Sequence, residues 1–255
     1  MNRLKPFVSY PIRMISIFVM LLIWEWTVRA NLRWPLQFGN LPGPSDIIVT
    51  WLSYLQQLHY FKDIAVSTAR VLGGIILGFI TAVPLGLWIG HRKLVRDALF
   101  PSLELFRPIP LIAFLPVAML LFPTIESSIL FITFIGAFFP ILISTKDAAG
   151  RVSVTLLQAA RCLGCGPIRA IWRVYLPAMS PEIFTGLSVG IGASWMAVVT
   201  GEMMSGQTGI GYTTWQAYHL LDYRQSIIGM FTIGALGFAS SAAVRTLERL
   251  MIKWR

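Results

Sequence analysis

Six stretches of this chain are apolar for long enough to cross a lipid bilayer, and that property leaves few folds open. A hydrocarbon core about 30 Å thick is spanned by about 20 helical residues, and runs of that order occupy 12–29, 64–90, 98–122, 127–144, 181–203 and 226–244. Hydrocarbon offers backbone N–H and C=O groups no partner, so these segments must satisfy their own hydrogen bonds as helices. The expected fold is all-α, a polytopic membrane protein of about six transmembrane helices. Composition agrees: 56% of residues are hydrophobic and 13% charged, against about 25% charged in soluble domains.

The distribution of Lys and Arg orients the spans, because loops on the cytoplasmic side retain basic residues. One side collects Arg3, Lys5, Arg13, Arg92, Lys93, Arg96, Lys146, Arg151, Arg161, Arg169, Arg173, Arg245, Arg249, Lys253 and Arg255, whereas the opposite loops hold Arg33, Lys62 and Arg224. Both termini and the long loop 146–180 are therefore expected in the cytoplasm. The formal charge of +10 forms no dense patch, so it reads as topology and not as nucleic-acid binding.

The first span has a basic start and an apolar core, like a signal peptide, but it runs on through Glu25 and Trp26 without a small-x-small cleavage pattern and reads as an uncleaved anchor. After it, Leu41-Pro42-Gly43-Pro44-Ser45-Asp46 is a turn in which Ser45 can cap a short helix to about Leu58. The largely apolar stripe of that helix, Ile47, Ile48, Trp51, Leu52, Tyr54 and Leu55, suits the outer membrane interface. The expected organisation is 1–62 as an N-terminal transmembrane helix plus this extracytoplasmic interfacial helix, and 63–255 as a core of five transmembrane helices.

The cytoplasmic loop at about 146–180 reads as a helix, a glycine break, a second helix and a proline stop. Ala159, Ala160 and Gly164 leave little bulk, and Leu156, Leu157 and Leu163 supply apolar contact, a combination that suits insertion into a partner's groove. Composition alone leaves an ordinary amphipathic connector equally open. Spacing separates the two. Gln158-Ala159-Ala160, Gly164 and Val174-x-Leu176-Pro177 resemble, in register, the Glu-Ala-Ala, three residues, Gly, nine residues, Ile-x-Leu-Pro signature of the permease family of bacterial ABC importers. Gln replaces Glu and Val replaces Ile.

The resemblance extends from Leu41 onward and is greatest to the nitrate, taurine and aliphatic sulfonate branch. Supporting segments are Ser67-x-x-Arg70-x-x-x-Gly74, Pro84-Leu85-Gly86-x-x-x-Gly90, Arg107-Pro108-Ile109-Pro110 with Leu115-Pro116, Gly136-Ala137-Phe138-Phe139-Pro140-Ile141 and Gly209-Ile210-Gly211-Tyr212. Leu111 and the segment Phe122-Pro123-Thr124-Ile125-Glu126 depart from the branch pattern. The resemblance implies a type I ABC importer permease fold in a bacterial cytoplasmic (inner) membrane. It implies ATPase coupling through Gln158, Ala159, Ala160, Gly164, Leu176 and Pro177. It also implies cytoplasmic ABC ATPase subunits that use ATP and magnesium, an extracytoplasmic substrate-binding protein and a second copy of the permease as partners. The implied cargo is a small anion such as nitrate, taurine, an alkanesulfonate or bicarbonate.

Ionisable groups inside spans are costly and become candidates for function. Arg107 lies beside Pro108 and Pro110, which free backbone carbonyls and bend the helix, and an anionic solute would favour that cation. Glu104, three residues earlier, can instead pair with Arg107, and this structural reading is the favoured one. Arg70 and Glu202 lie near the outer ends of their spans, where snorkelling or loop anchoring is the simple explanation. Gly186, Gly190, Gly192, Ala193 and Ser194, followed by Trp195, supply the small residues of a close helix contact. Arg107, Ser194, Trp195 and Glu202 are the candidate pathway-lining residues.

Other chemistries are weaker. Gly186-x-Ser188-x-Gly190 matches a hydrolase elbow, but it lies in an apolar helix and not at a strand-to-helix turn, and His219 is the sole base that follows. Cys162-x-x-Cys165 has no redox fold or second ligand pair, and His59, His91 and His219 are dispersed, so neither a catalytic residue nor a metal site is expected. No G-x-x-x-x-G-K-[ST] loop occurs, so any ATP would be bound by a partner chain. A self-sufficient secondary carrier would show buried acidic residues and an internal repeat, and neither stands out.

Overall fold

The computed structural model describes residues 6–31 and 41–252, with Arg3, Lys5, Arg33, Lys253 and Arg255 of the topology argument outside them. The described chain is helical: α1 (Pro6–Arg29), α2 (Pro44–Tyr54), α3 (Leu58–His91), α4 (Lys93–Phe106), α5 (Leu111–Leu121), α6 (Ile125–Arg151), α7 (Val154–Cys162), α8 (Pro167–Ala170), a π turn (Ile171–Tyr175), α9 (Leu176–Ser205), α10 (Ile210–His219) and α11 (Tyr223–Met251). Among the described residues, α3, α6, the run Ile171–Ser205 and α11 are long and apolar enough to span a membrane. The bent pair α4–α5 makes a fifth candidate. At a rise of 1.5 Å per residue, the 24 residues of α1 reach about 36 Å. From Met14 to Ile23 its apolar side chains are exposed, as a lipid-facing helix requires.

Third in the expected series, the span over 98–122 is broken. Its two helices meet at 98° across the residues between Phe106 and Leu111. Pro108 and Pro110 both lack an N–H, so neither can donate the backbone bond that would carry the helix on. Pro110 itself is extended, with φ −57° and ψ 137°.

Two compact units can be distinguished, Met1–Lys62 with Thr213–Phe231, and Asp63–Tyr212 with Thr232–Arg255. In the first, Glu25 reaches from α1 to the start of α2, where Ser45 donates its backbone N–H at 3.1 Å and its hydroxyl at 2.8 Å. Ser45 is thus a tether and not the helix cap; the N-cap is Gly43, and α2 ends at Tyr54 rather than near Leu58. A Cβ on Gly43 would come within 2.9 Å of the Glu25 carboxylate, so glycine permits the approach. Trp24 stacks on Phe231 at 6.2 Å, and Trp51 Nε1 donates to the Tyr60 hydroxyl at 3.0 Å.

In the second unit α6 is the central helix, gripped on two faces by small residues. Gly74, Gly78, Ala82, Gly86 and Gly90 of α3 recur every four positions and so form one stripe. A Cβ on Gly78 would lie 2.8 Å from that of Ala137, one on Gly86 2.8 Å from Thr145, and one on Gly90 2.5 Å from Ala149. Toward α9, Gly186 meets Ser144 and Gly190 meets the Ala137 carbonyl, while Gly136 of α6 meets that of Ala193. Lipid gives helices no hydrophobic reason to associate, so contact at backbone distance supplies the dispersion energy that holds them. Val71, Ile89, Ile129, Ile141, Leu142, Leu187, Ile191 and Val198 fill the space beside these stripes.

The expected proline stop at Pro177 is absent. Pro177 is the second residue of α9, and the helical path runs through it from the π turn to Ser205, forgoing the one backbone bond that its missing N–H cannot donate. Tyr175 secures the turn by bonding His91 Nδ1 at 3.1 Å.

Candidate functional site

Three features of the Asp63–Tyr212 and Thr232–Arg255 unit bear on function. The first is a buried ion cluster at the end where α3 and α6 begin and α9 finishes. Arg70 and Glu202 are 6% and 0% exposed. Arg70 Nη1 donates to Glu202 Oε1 at 2.7 Å and to the Thr208 carbonyl at 2.6 Å. Its Nε donates to Glu126 Oε2 at 2.9 Å, and Nη2 reaches Glu126 Oε1. The second acceptor face of Glu202 is filled by the Ser67 hydroxyl and by the Gly211 N–H at 2.9 Å. Ser67 Oγ in turn accepts the Ile210 N–H at 3.0 Å.

The planar guanidinium can serve two carboxylates at once, a geometry lysine cannot supply. The loop that closes the cluster uses glycine where it must: Gly206 caps α9 with φ +68°, and Gly209, at φ +146°, lies where a Cβ would strike the Glu202 carboxylate. Of the two simple explanations for Arg70 and Glu202, burial excludes snorkelling, while the bonds to Thr208 and Gly211 are those of loop anchoring. Sequence reasoning left Ser67 and Glu126 out of the site. Their signal was available: Arg70, Glu126 and Glu202 all fall at corresponding depths of neighbouring spans.

The second feature is a cavity of about 360 Å³ at the α4–α5 bend. Arg107 opens onto it, with Phe106, Phe114, Phe139, Ile135 and Val189 among the walls and Ser144 at its margin. The favoured pairing with Glu104 does not occur. The two share a backbone bond, Arg107 N–H to Glu104 O at 3.3 Å, while both side chains are exposed and, among the described residues, form no ion pair. Arg107 keeps helical backbone geometry, φ −60° and ψ −44°, and its side chain lines the cavity instead.

Ser194 is buried on the α6–α9 contact, where its hydroxyl donates to the Thr133 carbonyl at 3.1 Å. Trp195 is 3% exposed, its Nε1 directed to Ser240 Oγ at 3.3 Å, and it borders a second hollow with Gly192, Met196, Gly237, Phe238 and Arg245. Ser188 lies inside a regular helix, without the sharp turn a nucleophile elbow needs.

The third feature is the connecting segment. α7 ends at Cys162, and Gly164 turns the chain with φ +74°. Gln158, Ala159 and Gly164 are exposed and Ala160 is buried. Leu156, Leu163 and Trp172 stand 48%, 87% and 70% exposed, an apolar surface open among the described residues.

Residues 64–253 match the family described as "Binding-protein-dependent transport system inner membrane component". The chain is 32% identical over 215 residues to a Brucella abortus protein named "Probable ABC transporter permease protein", covering 84% of this chain and 86% of the relative. It is 31% identical to the nitrate import permease of a Synechocystis species, over 93% of this chain and 88% of that one. With the taurine transport system permease of Escherichia coli it shares 28% identity, over 92% and 86%. A family match over three quarters of the chain, carried by spans of the expected kind, establishes that the protein belongs to the binding-protein-dependent ABC transport permeases, as a membrane-spanning transport subunit.

Proposed function

We propose that this permease forms the translocation pathway of an importer powered by separate cytoplasmic ATPases, and that α7 with the following turn is where those ATPases dock. The observation behind this is the exposed surface of Leu156, Leu163 and Trp172 around the small residues Ala159 and Gly164, in a loop whose basic residues favour the cytoplasmic side. Gln158, Ala159, Ala160 and Gly164 make the contact, and Leu176 and Pro177 begin the helix that receives the movement. ATP and magnesium belong to the partner.

Two copies of the chain enclose the pathway, an extracytoplasmic binding protein delivers the solute, and both termini are cytoplasmic. Residues 1–62 supply the anchor and the interfacial helix, and 63–255 the transporting core. Among the pathway candidates, Arg107 and Trp195 border hollows, while Ser194 and Glu202 hold the framework behind them. The cargo is a small anion in the class that the names of the nitrate and taurine relatives indicate: nitrate, taurine, an alkanesulfonate or bicarbonate.

The decisive experiment is purification of the tagged permease from its native membrane, alone and as Gly164→Leu. Co-purification of an ATPase that the variant loses is expected. Transport activity recovered from the permease alone would overturn the reading.

A further inference from the structure

The cavity at the α4–α5 bend combines features that together specify a ligand. We propose that it is an intramembrane binding site for an organic monoanion with an apolar body, such as an alkanesulfonate, in preference to a bare inorganic anion. This rests on the pathway reading above and narrows its cargo.

Charge comes first. Arg107 is the one ionisable residue among those lining the cavity, and with no ion pair to Glu104 its guanidinium is free to receive a ligand. One cation in a site of reduced dielectric balances one negative charge; a second would stand uncompensated. A sulfonate or carboxylate accepts the parallel N–H groups of arginine in a fork that fixes its orientation.

The walls decide the rest. Phe106, Phe114, Phe139, Ile135 and Val189 present rings and branched aliphatic groups, which gain from covering an apolar tail and give a fully hydrated ion nothing in exchange for its water. The volume of about 360 Å³ is at the lower end of small-molecule pockets and leaves room beyond a headgroup on Arg107. Arg107 lies at the 98° bend, and the close Gly136–Ala193 contact backs the cavity with protein.

The test uses the permease purified with its co-purifying ATPase in nanodiscs of neutral lipid. Val189→Cys, on the cavity wall and 59% exposed, serves as reporter. Maleimide labelling of that cysteine is followed by peptide mass spectrometry, so Cys162 and Cys165 stay in place. Butanesulfonate is expected to slow labelling in a saturable way, while equal concentrations of nitrate, butanol or butylammonium leave it unchanged. Arg107→Gln should weaken the protection about tenfold, the scale of a charge-assisted bond, and Arg107→Lys should retain part of it.

Equal protection by nitrate, equal protection by butanol, or protection that survives Arg107→Gln would overturn the proposal. Ile109→Cys is a second reporter on the same wall if the first variant fails to assemble. Loss of protection with the ATPase still bound would remove this site alone, whereas a preparation without an ATPase would remove the pathway reading and leave the binding result standing.

Discussion

Removing Arg70 should destabilise the protein far more than removing any other charge in the chain, by a calculable route. Arg70→Met keeps much of the side-chain volume but leaves Glu202, with no exposed surface, facing Glu126 across the vacated centre. Its remaining donors would be Ser67 and the Gly211 N–H. Breaking a buried ion pair from one side costs about 3–5 kcal/mol, because the surviving charge has lost its counter-ion without regaining water. Glu126→Gln is the internal contrast. That carboxylate is 58% exposed, solvent screens it, and the loss should be about 1 kcal/mol or less. The double variant Arg70→Met with Glu202→Gln removes both buried charges and should recover more than half of the loss. The assay is unfolding of the purified protein in mixed micelles, with denaturing detergent as the variable and near-ultraviolet circular dichroism as the signal. If Arg70→Met were no less stable than Glu126→Gln, or if the double variant were worse than the single, the cluster would not be a charge-balanced unit and the reasoning would fail.

The small-residue seam makes a graded prediction in the same assay: Gly90→Ala, whose new methyl would meet Ala149 at 2.5 Å, should cost about 1–3 kcal/mol by overpacking. Gly192→Ala, with open space around it, should be neutral or slightly stabilising, since alanine favours the helix. Gly209→Ala faces both a positive φ and the Glu202 carboxylate, so it should loosen the cluster, seen as faster hydrogen exchange at Ile210 and Gly211. Alkaline pH should act on α2 through Tyr54, whose phenol titrates above the ordinary tyrosine range because burial, and then the charge of Asp222, disfavour the phenolate. A raised folded-state pKa contributes stability that is complete below about pH 10, the unfolded value, and is lost as pH rises through the folded one. Comparing wild type with Tyr54→Phe across that window should show a modest alkaline loss in wild type alone.

Apolar run length was sufficient to place the helices of the core, because in hydrocarbon the backbone has no alternative to helix. Spacing was sufficient to single out α7 and Gly164. Length could not show that 98–122 turns sharply at Arg107, since a bent pair and a straight span share one composition, although Pro108 and Pro110 marked the place. The Glu104–Arg107 pairing rested on a helical spacing that the backbone keeps, and spacing could not show that the Arg107 side chain lines the cavity instead. Arg70 and Glu202 were legible one by one as costly charges. Their pairing was not, because residues more than a hundred positions apart meet only once α3 and α9 have been set against α6. The stripe Gly74, Gly78, Ala82, Gly86 and Gly90 was countable from the outset, and it marks which side of α3 meets protein.

The π turn at Ile171–Tyr175 separates two registers along one continuous rod. A π turn holds one residue more than an α-helix of the same height, so the surface that displays Trp172 and the face that sets Gly186 and Gly190 on α6 are phased independently. On the docking role proposed above, this turn lets the Trp172 surface be set at an angle of its own while Gly186 and Gly190 stay seated on α6.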